Sequence, residues 1–162
     1  MKQIKLSNTC LFALVDDDKY EFLNRFNWFL QIGSNTWYVR TTIGKQAIYM
    51  HQLVLPSPLK ELTPDHINGN TLDNQLNNLR LATKTQQQAN RKKAISITTA
   101  SKYKGISWNN KNKKFYARIR QNGHQINLGY FKNEIDAAKA YNKAAEKEFG
   151  EFARLNIIEE IN

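Results

Sequence analysis

Residues 63–93, TPDHINGNTLDNQLNNLRLATKTQQQANRKK, constrain the fold more than any other stretch of the chain. The first extended segment ends in Asp65 and His66, an asparagine-rich loop follows, and Leu79–Ala82 returns as a second extended segment. Residues 85–92 then form a polar run with helical character. This order predicts a β-hairpin followed by a helix, which would place a carboxylate and an imidazole opposite that helix.

Asp65 and His66 supply two chemically useful groups. A carboxylate is a hard oxygen ligand suited to Mg²⁺, and an imidazole titrates near neutral pH, so it can take a proton from water. Taken alone, an Asp-His pair is usually an ordinary surface feature. Residues 67–70 form a tight loop, and the return to the second segment is rich in side-chain amides that can pin the backbone: Asn74, Asn77 and Asn78. Turn formation and Asx-type capping account for several of these amides.

The charge of the chain points to a polyanionic partner. The net charge is +10, and residues 102–120 contain seven Lys and Arg side chains and no acid. A membrane surface would require a basic amphipathic helix, whereas this run has the alternation of a strand. Nucleic acid is therefore the expected partner.

Cysteine and histidine usage excludes several kinds of site. Cys10 is the only cysteine, so neither a disulfide framework nor a cysteine-rich zinc site is possible. The three histidines are too scattered to form a structural zinc cluster by themselves, which favours a hard cation on oxygen ligands. No stretch approaches the roughly 20 apolar residues of a membrane span. The sequence predicts a soluble intracellular protein.

Residues 1–50 are predicted to form a small α/β layer. Strands are expected at Leu11–Val15, Trp28–Leu30 and Trp37–Arg40, with a turn at Gly33–Asn35 between the last two. The acidic run Asp16–Asp18 is interpreted as the N-cap and first turn of a helix. A metal cluster is the alternative, but consecutive side chains do not face one site.

Residues 48–55 combine strand and short-helix character and end at Pro56 and Pro58. His51 lies among apolar residues in this segment. It is therefore interpreted as a packed, hydrogen-bonded histidine without a catalytic role.

The second half of the chain predicts a sheet covered by one helix. Residues 94–101 have little to bury and are interpreted as a linker. Asn122-Gly123 predicts a two-residue hairpin turn. Strands are expected at Gly105–Trp108, Phe115–Arg120 and Ile126–Tyr130, followed by a helix over 133–149 with an apolar stripe of Ala137, Tyr141, Ala144, Ala145 and Phe149. The helix should cover one face of the sheet, and Arg118 and Arg120 should lie on the other, where they can enter a DNA major groove.

The segments YKGI, FYARIR, LGYF and DAAKAYNKAA, with Leu155-Asn156, resemble the plant Apetala-two/ethylene-response-factor DNA-binding domain. The resemblance implies a domain at 102–158 that reads double-stranded DNA with its sheet. It implies that five side chains face the groove: Lys104, Ser107, Arg118, Arg120 and Asn127. Plant members usually carry Arg, Glu and Trp where this chain has Ser107, Arg118 and Asn127, so the target sequence does not transfer.

The segment DHINGNTLDNQLNNLRLAT, preceded by MHQLVL and followed by QQQANRKK, resembles the HNH endonucleases with a ββα-metal fold. It is similar in particular to free-standing and intron-associated homing endonucleases of phages and bacteria, and ALVDDDKYEFLNRFNWFL resembles their leading segment. The resemblance implies a nuclease within residues 1–93, with its ββα-metal core at about 62–92. A cytoplasmic, host- or phage-encoded protein is expected.

The same resemblance implies the role of each site residue. Asp65 would bind one Mg²⁺ or Mn²⁺ ion, and His66 would be the general base. Asn78 matches the middle asparagine of the family and would hold the His66 loop by backbone hydrogen bonds, with the neighbouring Asn77 as the alternative. Gln87 falls at the last metal-binding position, where the family usually has His or Asn.

The expected fold class is α+β, with a ββα-metal module followed by a three-stranded antiparallel sheet packed on one C-terminal helix. The expected function is metal-dependent cleavage of double-stranded DNA by a site-selective homing endonuclease, most simply a monomer. One alternative is a sequence-selective DNA-binding protein whose HNH centre has become inactive, with Gln87 as the suspect residue. A structure-directed or RNA-acting HNH protein is the other.

Overall fold

The computed structural model describes residues 1–33, 36–93 and 100–159, and it confirms the α+β class. The chain divides into two compact units, Met1–Lys84 and Thr85–Asn162. Within the described ranges, no helix has the length and apolar character needed to cross a membrane. The predicted boundaries of the nuclease and the C-terminal domain stay a prediction, and residues 94–99 of the predicted linker lie outside the described residues.

The first unit consists of three small antiparallel sheets and two short helices. Its N-terminal strands β1 and β2 pair with each other, β4 is the centre of a three-stranded sheet, and β6 pairs with β7. The elements are β1 (Lys2–Lys5), β2 (Phe12–Val15), α1 (Asp17–Leu23), β3 (Phe29–Ile32), β4 (Trp37–Ile43), β5 (Gln46–Tyr49), α2 (Met50–Val54), β6 (Thr63–His66) and β7 (Leu79–Ala82).

Apolar side chains from all parts of this unit form one core. Trp28 is its largest fully buried side chain, and the indole Nε1 donates to the carbonyl oxygen of Leu23 over 2.7 Å. An indole N–H buried without a partner would be costly, so this bond lets the ring remain inside. The other fully buried large apolar side chains are Leu6, Leu23, Met50, Val15 and Val39.

The loop between β6 and β7 is fastened to the N-terminal hairpin. The amide of Leu14 donates to Leu72 and the amide of Asn74 donates to Leu14, each over 2.8 Å. A short 3₁₀ turn at Leu76–Asn78 then leads into β7. The edge of β2 that does not pair with β1 therefore forms hydrogen bonds with the backbone of the asparagine-rich loop.

The second unit contains the predicted sheet and helix. Most of α3 (Lys84–Asn90) belongs to it, and β9 (Lys114–Gln121) pairs with β8 (Ile106–Asn109) and β10 (His124–Phe131). The long helix α4 (Glu134–Phe149) buries Ala137, Ala138, Tyr141 and Ala145 in the core of this unit, together with Ile106, Ala117 and Ile119 from the sheet.

Gly105 shows how closely α4 approaches the sheet. Its φ is +78°, and a Cβ atom there would collide with the ring of Tyr141. Any other residue at this position would force the helix away from the sheet or strain the backbone.

Several sequence-based predictions need correction. Asp16 occupies the N-cap position of α1 but makes no side-chain cap bond; its carboxylate accepts from the amide of Leu76 over 2.7 Å. Helix α3 ends at Asn90, before the predicted limit of Lys92. Strand β1 was not predicted, because Ile4 is the only one of its four residues that is buried. The predicted turn around Gly33 includes Ser34 and Asn35, which lie outside the described residues.

Candidate functional site

Asp65 and His66 are the last two residues of β6, and each has a defined partner. Asp65 is paired with Arg80 of β7 in the strand register, and the Arg80 Nε lies 3.4 Å from the Asp65 Oδ2. Only 13% of the Asp65 side chain and 12% of the Arg80 side chain are exposed. The guanidinium therefore holds the carboxylate in place beside the imidazole.

The orientation of the His66 ring is set by Asn74. The Nε2 of His66 lies 3.2 Å from the Oδ1 of Asn74, while the Nδ2 of Asn74 donates to the carbonyl oxygen of Thr71 over 3.3 Å. Because that carbonyl needs a donor, the oxygen of the Asn74 amide faces His66. Nε2 must then carry the proton, and Nδ1 is the ring nitrogen with the basic lone pair.

The surroundings of His66 favour a neutral ring. Burial lowers the pKa of His66, and this outweighs the hydrogen bond to Asn74 and the negative charges of Asp65 and Asp73, which all raise it. A neutral imidazole is the form that can accept a proton. The His66 ring is therefore uncharged at neutral pH, and its role as general base stays a prediction.

Two aromatic rings lie against His66, and a third packs on one of them. The ring of His51 meets the His66 ring edge-on at 5.3 Å between centroids, and the Tyr38 ring lies 6.5 Å from it. Tyr49 stacks on His51 at 5.5 Å. Burial, together with repulsion by His66, lowers the pKa of His51 to about 3, so His51 is uncharged at neutral pH. His51 is buried, as the sequence predicts.

Asn78 closes the loop that follows His66. Its Oδ1 accepts from the backbone amide of Asn68 over 3.0 Å, and its Nδ2 donates to the Asn68 side chain and to the carbonyl oxygen of Asp73. The backbone oxygen of Asn78 also accepts from the amide of Ile67 over 2.8 Å. Asn78 thus bonds to the backbone of the loop that follows His66, and its role as the middle asparagine of the family stays a prediction.

Asn74, Asp73 and Asp16 are site residues that the sequence analysis did not assign. Asp73 accepts from Asn68 and from Gln75, each over 2.9 Å, and so braces the loop on its inner side. The density of amides signals a bonded loop. It does not reveal which amide meets the imidazole, and Asp16 lies 60 positions from its partner.

Gln87 lies on α3, and most of that helix belongs to the second unit. Its predicted pairing with Asp65 around a metal ion stays a prediction. Among the residues described, no group of three or more His, Cys, Asp or Glu side chains could hold a metal ion. Asp65 and Gln87 would instead offer one carboxylate oxygen and one amide oxygen, which in kind suit a hard divalent ion.

The sheet of the second unit exposes a basic face. Arg118 and Arg120 of β9 are exposed and pair in register with Asn127 and Gln125 of β10, and Ser107 of β8 stands opposite Tyr116. Arg118 also donates to the Gln125 side chain over 3.1 Å. Four of the five predicted DNA-binding residues thus share the face that α4 leaves open.

Lys104 is the fifth predicted DNA-binding residue, and its side chain forms hydrogen bonds within the protein. The ammonium donates to the carbonyl oxygens of Gln88 and Ala89 near the end of α3. Burial, together with the charge of Arg154, lowers the pKa of Lys104 to about 8. A DNA contact by Lys104 stays a prediction. The Tyr116 and Tyr130 rings, for which the sequence predicted no DNA-binding role, lie 4.9 Å apart on the open face.

Comparisons with known proteins identify related sequences. A family model described as HNH endonuclease matches residues 56–89, which include Asp65, His66 and Asn78. The uncharacterized HNH endonuclease L560 of Acanthamoeba polyphaga mimivirus is 32% identical over 151 residues, which cover 91% of this chain and 76% of the relative. No solved structure matches significantly.

Proposed function

The chain belongs to the HNH endonuclease family and is a nuclease, and from this premise we propose that it hydrolyses phosphodiester bonds of double-stranded DNA at His66. The observation that carries the proposal is the hydrogen bond between His66 and the buried amide of Asn74. It holds an uncharged imidazole in one orientation. A water molecule that reaches this ring can be deprotonated for attack on phosphorus.

Other residues would bind the metal ion and hold the loop beside His66. Asp65, held by Arg80, would bind a divalent ion together with Gln87. HNH nucleases use such an ion, and Mg²⁺ or Mn²⁺ as a single ion is the specific form proposed; when bound it stabilises negative charge on the phosphate and the leaving oxygen. Asn78 keeps the loop closed, so that His66 remains in register with Asp65.

The finer proposal is a site-selective homing endonuclease whose C-terminal unit reads the target. The exposed basic sheet face supports it, because Arg118 and Arg120 are spaced along one strand as a groove-reading sheet requires. An Apetala-two/ethylene-response-factor-type domain is the family that this half resembles in sequence. Charge and exposure of this face support DNA as the partner.

One observation favours a second function. Glutamine replaces the usual His or Asn at position 87, and the extra methylene displaces the amide oxygen by about one bond length, whereas Mg²⁺ tolerates little deviation from roughly 2.0–2.1 Å. A protein that binds DNA without cutting it would result if that displacement disrupts the metal site.

Cleavage of supercoiled plasmid DNA with Mg²⁺ or Mn²⁺ tests the main proposal. His66→Ala should lower the rate of nicking by about 10²–10⁴-fold, the usual contribution of a general base. His124→Ala is the matched control, because His124 is exposed at the start of β10. Undiminished nicking by His66→Ala, or equal losses in both variants, would contradict the assignment.

Gln87→Asn tests the metal position separately. Asparagine is a residue usual for the family there, so the variant should retain or exceed wild-type activity. A loss of activity in Gln87→Asn, with DNA binding unchanged, would show that position 87 is not the metal ligand. DNA binding by the wild type without any metal-dependent cleavage would favour the second function.

A further inference from the structure

The sheet formed by β3, β4 and β5 has one face in the core and one face turned outward. Val39 and Leu30 are buried on the inner face. Residues one position away alternate to the other side, so Tyr38 and Arg40 of β4 point outward. In the strand register Arg40 stands beside Tyr49 of β5, and Tyr38 stands beside Gln31 of β3. The outward face thus presents polar and aromatic side chains.

Arg40 is held on this face by neutral partners. Its Nη1 donates to the Gln31 Oε1 over 3.0 Å, the hydroxyl of Tyr49 donates to the same oxygen over 3.2 Å, and the guanidinium lies 5.4 Å from the centre of the Phe29 ring. These contacts fix the direction of the guanidinium plane.

Arg40 is half-buried and has no anionic partner in the described part of the chain. None of the ion pairs formed there involves it, and its Nε is buried without a hydrogen-bond partner. A partly desolvated positive charge is unfavourable unless an anion accompanies it. The neutral amide of Gln31 does not neutralise the charge of Arg40. The arrangement therefore suits an arginine whose negative partner is supplied by a bound ligand.

A continuous series of contacts connects Arg40 with the candidate centre. Tyr49 pairs with Arg40 in the strand register and donates to the same Gln31 oxygen. Its ring stacks on His51 with 9° between the ring planes. His51 in turn meets His66, and Tyr38 of the same face also lies against the His66 ring. The outward face of the sheet is therefore continuous with the surroundings of His66.

We propose that Arg40 binds a backbone phosphate of the DNA strand beside the phosphate that is cut, which makes the outward face of the β3–β5 sheet a second DNA-binding surface. This proposal rests on the proposed nuclease function. A guanidinium presents several N–H donors in a plane and binds phosphate oxygens in pairs, and here Gln31 and Tyr49 orient that plane in advance. Binding at this point would fix the register of the strand relative to His66.

The test measures affinity of the full chain for a DNA duplex over a salt series, with EDTA present so that no cleavage occurs. Arg40→Gln should lower the slope of log K against log salt by about 0.9, the contribution of one phosphate contact on B-DNA. Binding at low salt should weaken by about tenfold, as expected for a charged hydrogen bond. Arg25→Gln removes the same charge from an exposed position after α1 and should keep the wild-type slope.

Gln31→Glu provides an independent variant that preserves the shape of the side chain. The new carboxylate would pair with Arg40 at the position where the amide oxygen now accepts from it. The salt slope should therefore fall as in Arg40→Gln. This variant keeps the test informative if Arg40→Gln does not fold.

The outcomes separate this proposal from the nuclease proposal. Wild-type slopes and affinities in both variants, with unchanged thermal unfolding, would overturn the role of Arg40 even if the wild type cuts DNA. Conversely, a lower slope in both variants would support that role even if the wild type binds DNA without cutting it. Equal losses in Arg25→Gln would show a general charge effect and also overturn the proposal.

Discussion

Two of the antiparallel hairpins, β9–β10 and β6–β7, differ in the loop that joins their strands. Strands β9 and β10 are joined by Asn122-Gly123 alone, with φ of 48° and 83°, and this is enough to set their register. Strands β6 and β7 are joined by residues 67–78, although their pairing is only four residues long. A hairpin does not need so long a loop for its own stability. The longer loop is explained by its contact with His66, which it makes through Asn74.

The polar side chains of the two hairpins differ accordingly. In the β6–β7 loop Asn74 and Asn78 are buried and bonded to other parts of the loop, and His66 is buried against them. Along β9 and β10 Arg118, Arg120 and Asn127 are exposed. Buried, mutually bonded polar groups hold a reactive group in one geometry, whereas exposed basic groups can bind a polyanion without any rigid support. The first hairpin suits chemistry and the second suits binding.

The largest effect is expected from Asn78→Ala, which breaks the longer loop. The variant loses three side-chain hydrogen bonds and leaves the buried carbonyl oxygen of Asp73 without its donor. The free energy of unfolding should fall by about 3 kcal/mol, at about 1 kcal/mol for each bond. Cleavage should fall with it, because His66 is then no longer held.

Urea unfolding of Asn78→Ala and Asn77→Ala, followed by nicking assays on the folded fraction, checks this prediction. Asn77 is the exposed neighbour and serves as the control. Similar stabilities for the two variants would show that the loop does not depend on the Asn78 side chain.

The second prediction concerns pH. The pKa of His51 is about 3 in the folded chain, below its ordinary value of 6.5, chiefly because of burial. Below pH 6.5 the unfolded chain takes up a proton that the folded chain does not, so stability is complete above 6.5 and is lost as the pH falls towards 3. At pH 5 this loss amounts to about 2 kcal/mol.

Thermal unfolding between pH 7 and pH 5 measures that loss. His51→Phe should reduce the pH dependence, while the shift at His66, which has the same direction, should leave part of it. His124→Gln should retain the wild-type profile, since His124 is exposed. A wild-type profile in His51→Phe would mean that His51 is accessible to protons in the folded chain.

The sequence predicted those parts of the structure that depend on local pattern. Phe115, Ala117 and Ile119 alternate, and the strand they form buries that side. The Asp-His pair, its loop and the return strand also follow from their order in the sequence. Each of these signals spans only a few residues, so a single segment carries all the information.

Contacts between distant segments were not predictable in the same way. Strand β1 exists because it pairs with β2, and only Ile4 among its residues signals burial. Asp16 was expected to cap its own helix, yet the amide of Leu76 is a better partner in the folded unit. The contact between His51 and His66 joins α2 to β6. Tertiary packing decides each of these contacts, and a one-dimensional pattern does not encode it.

The third prediction distinguishes a residue that binds DNA, Arg120, from a residue that stabilises the fold, Lys104. Arg120→Gln should weaken binding to a DNA duplex by about tenfold and lower the salt slope by about 0.9, without a change in unfolding temperature. Lys104→Met should instead lower the unfolding temperature, because the ammonium of Lys104 holds the last carbonyl groups of α3. Calorimetry and binding titrations on both variants decide the matter. Reversed results would place Lys104 on the DNA and Arg120 in the structure.

The smallest effect is expected from Asn122→Ala in the short turn. Asn122 has a left-handed backbone conformation, which asparagine tolerates better than alanine, so the free energy of unfolding should fall by about 1 kcal/mol or less. Its side chain is exposed, so no buried partner is left unsatisfied. A loss as large as that of Asn78→Ala, measured by the same urea unfolding, would show that the two loops have equal structural importance. A small loss with unchanged DNA cleavage would support the view that only the longer loop holds a reactive group.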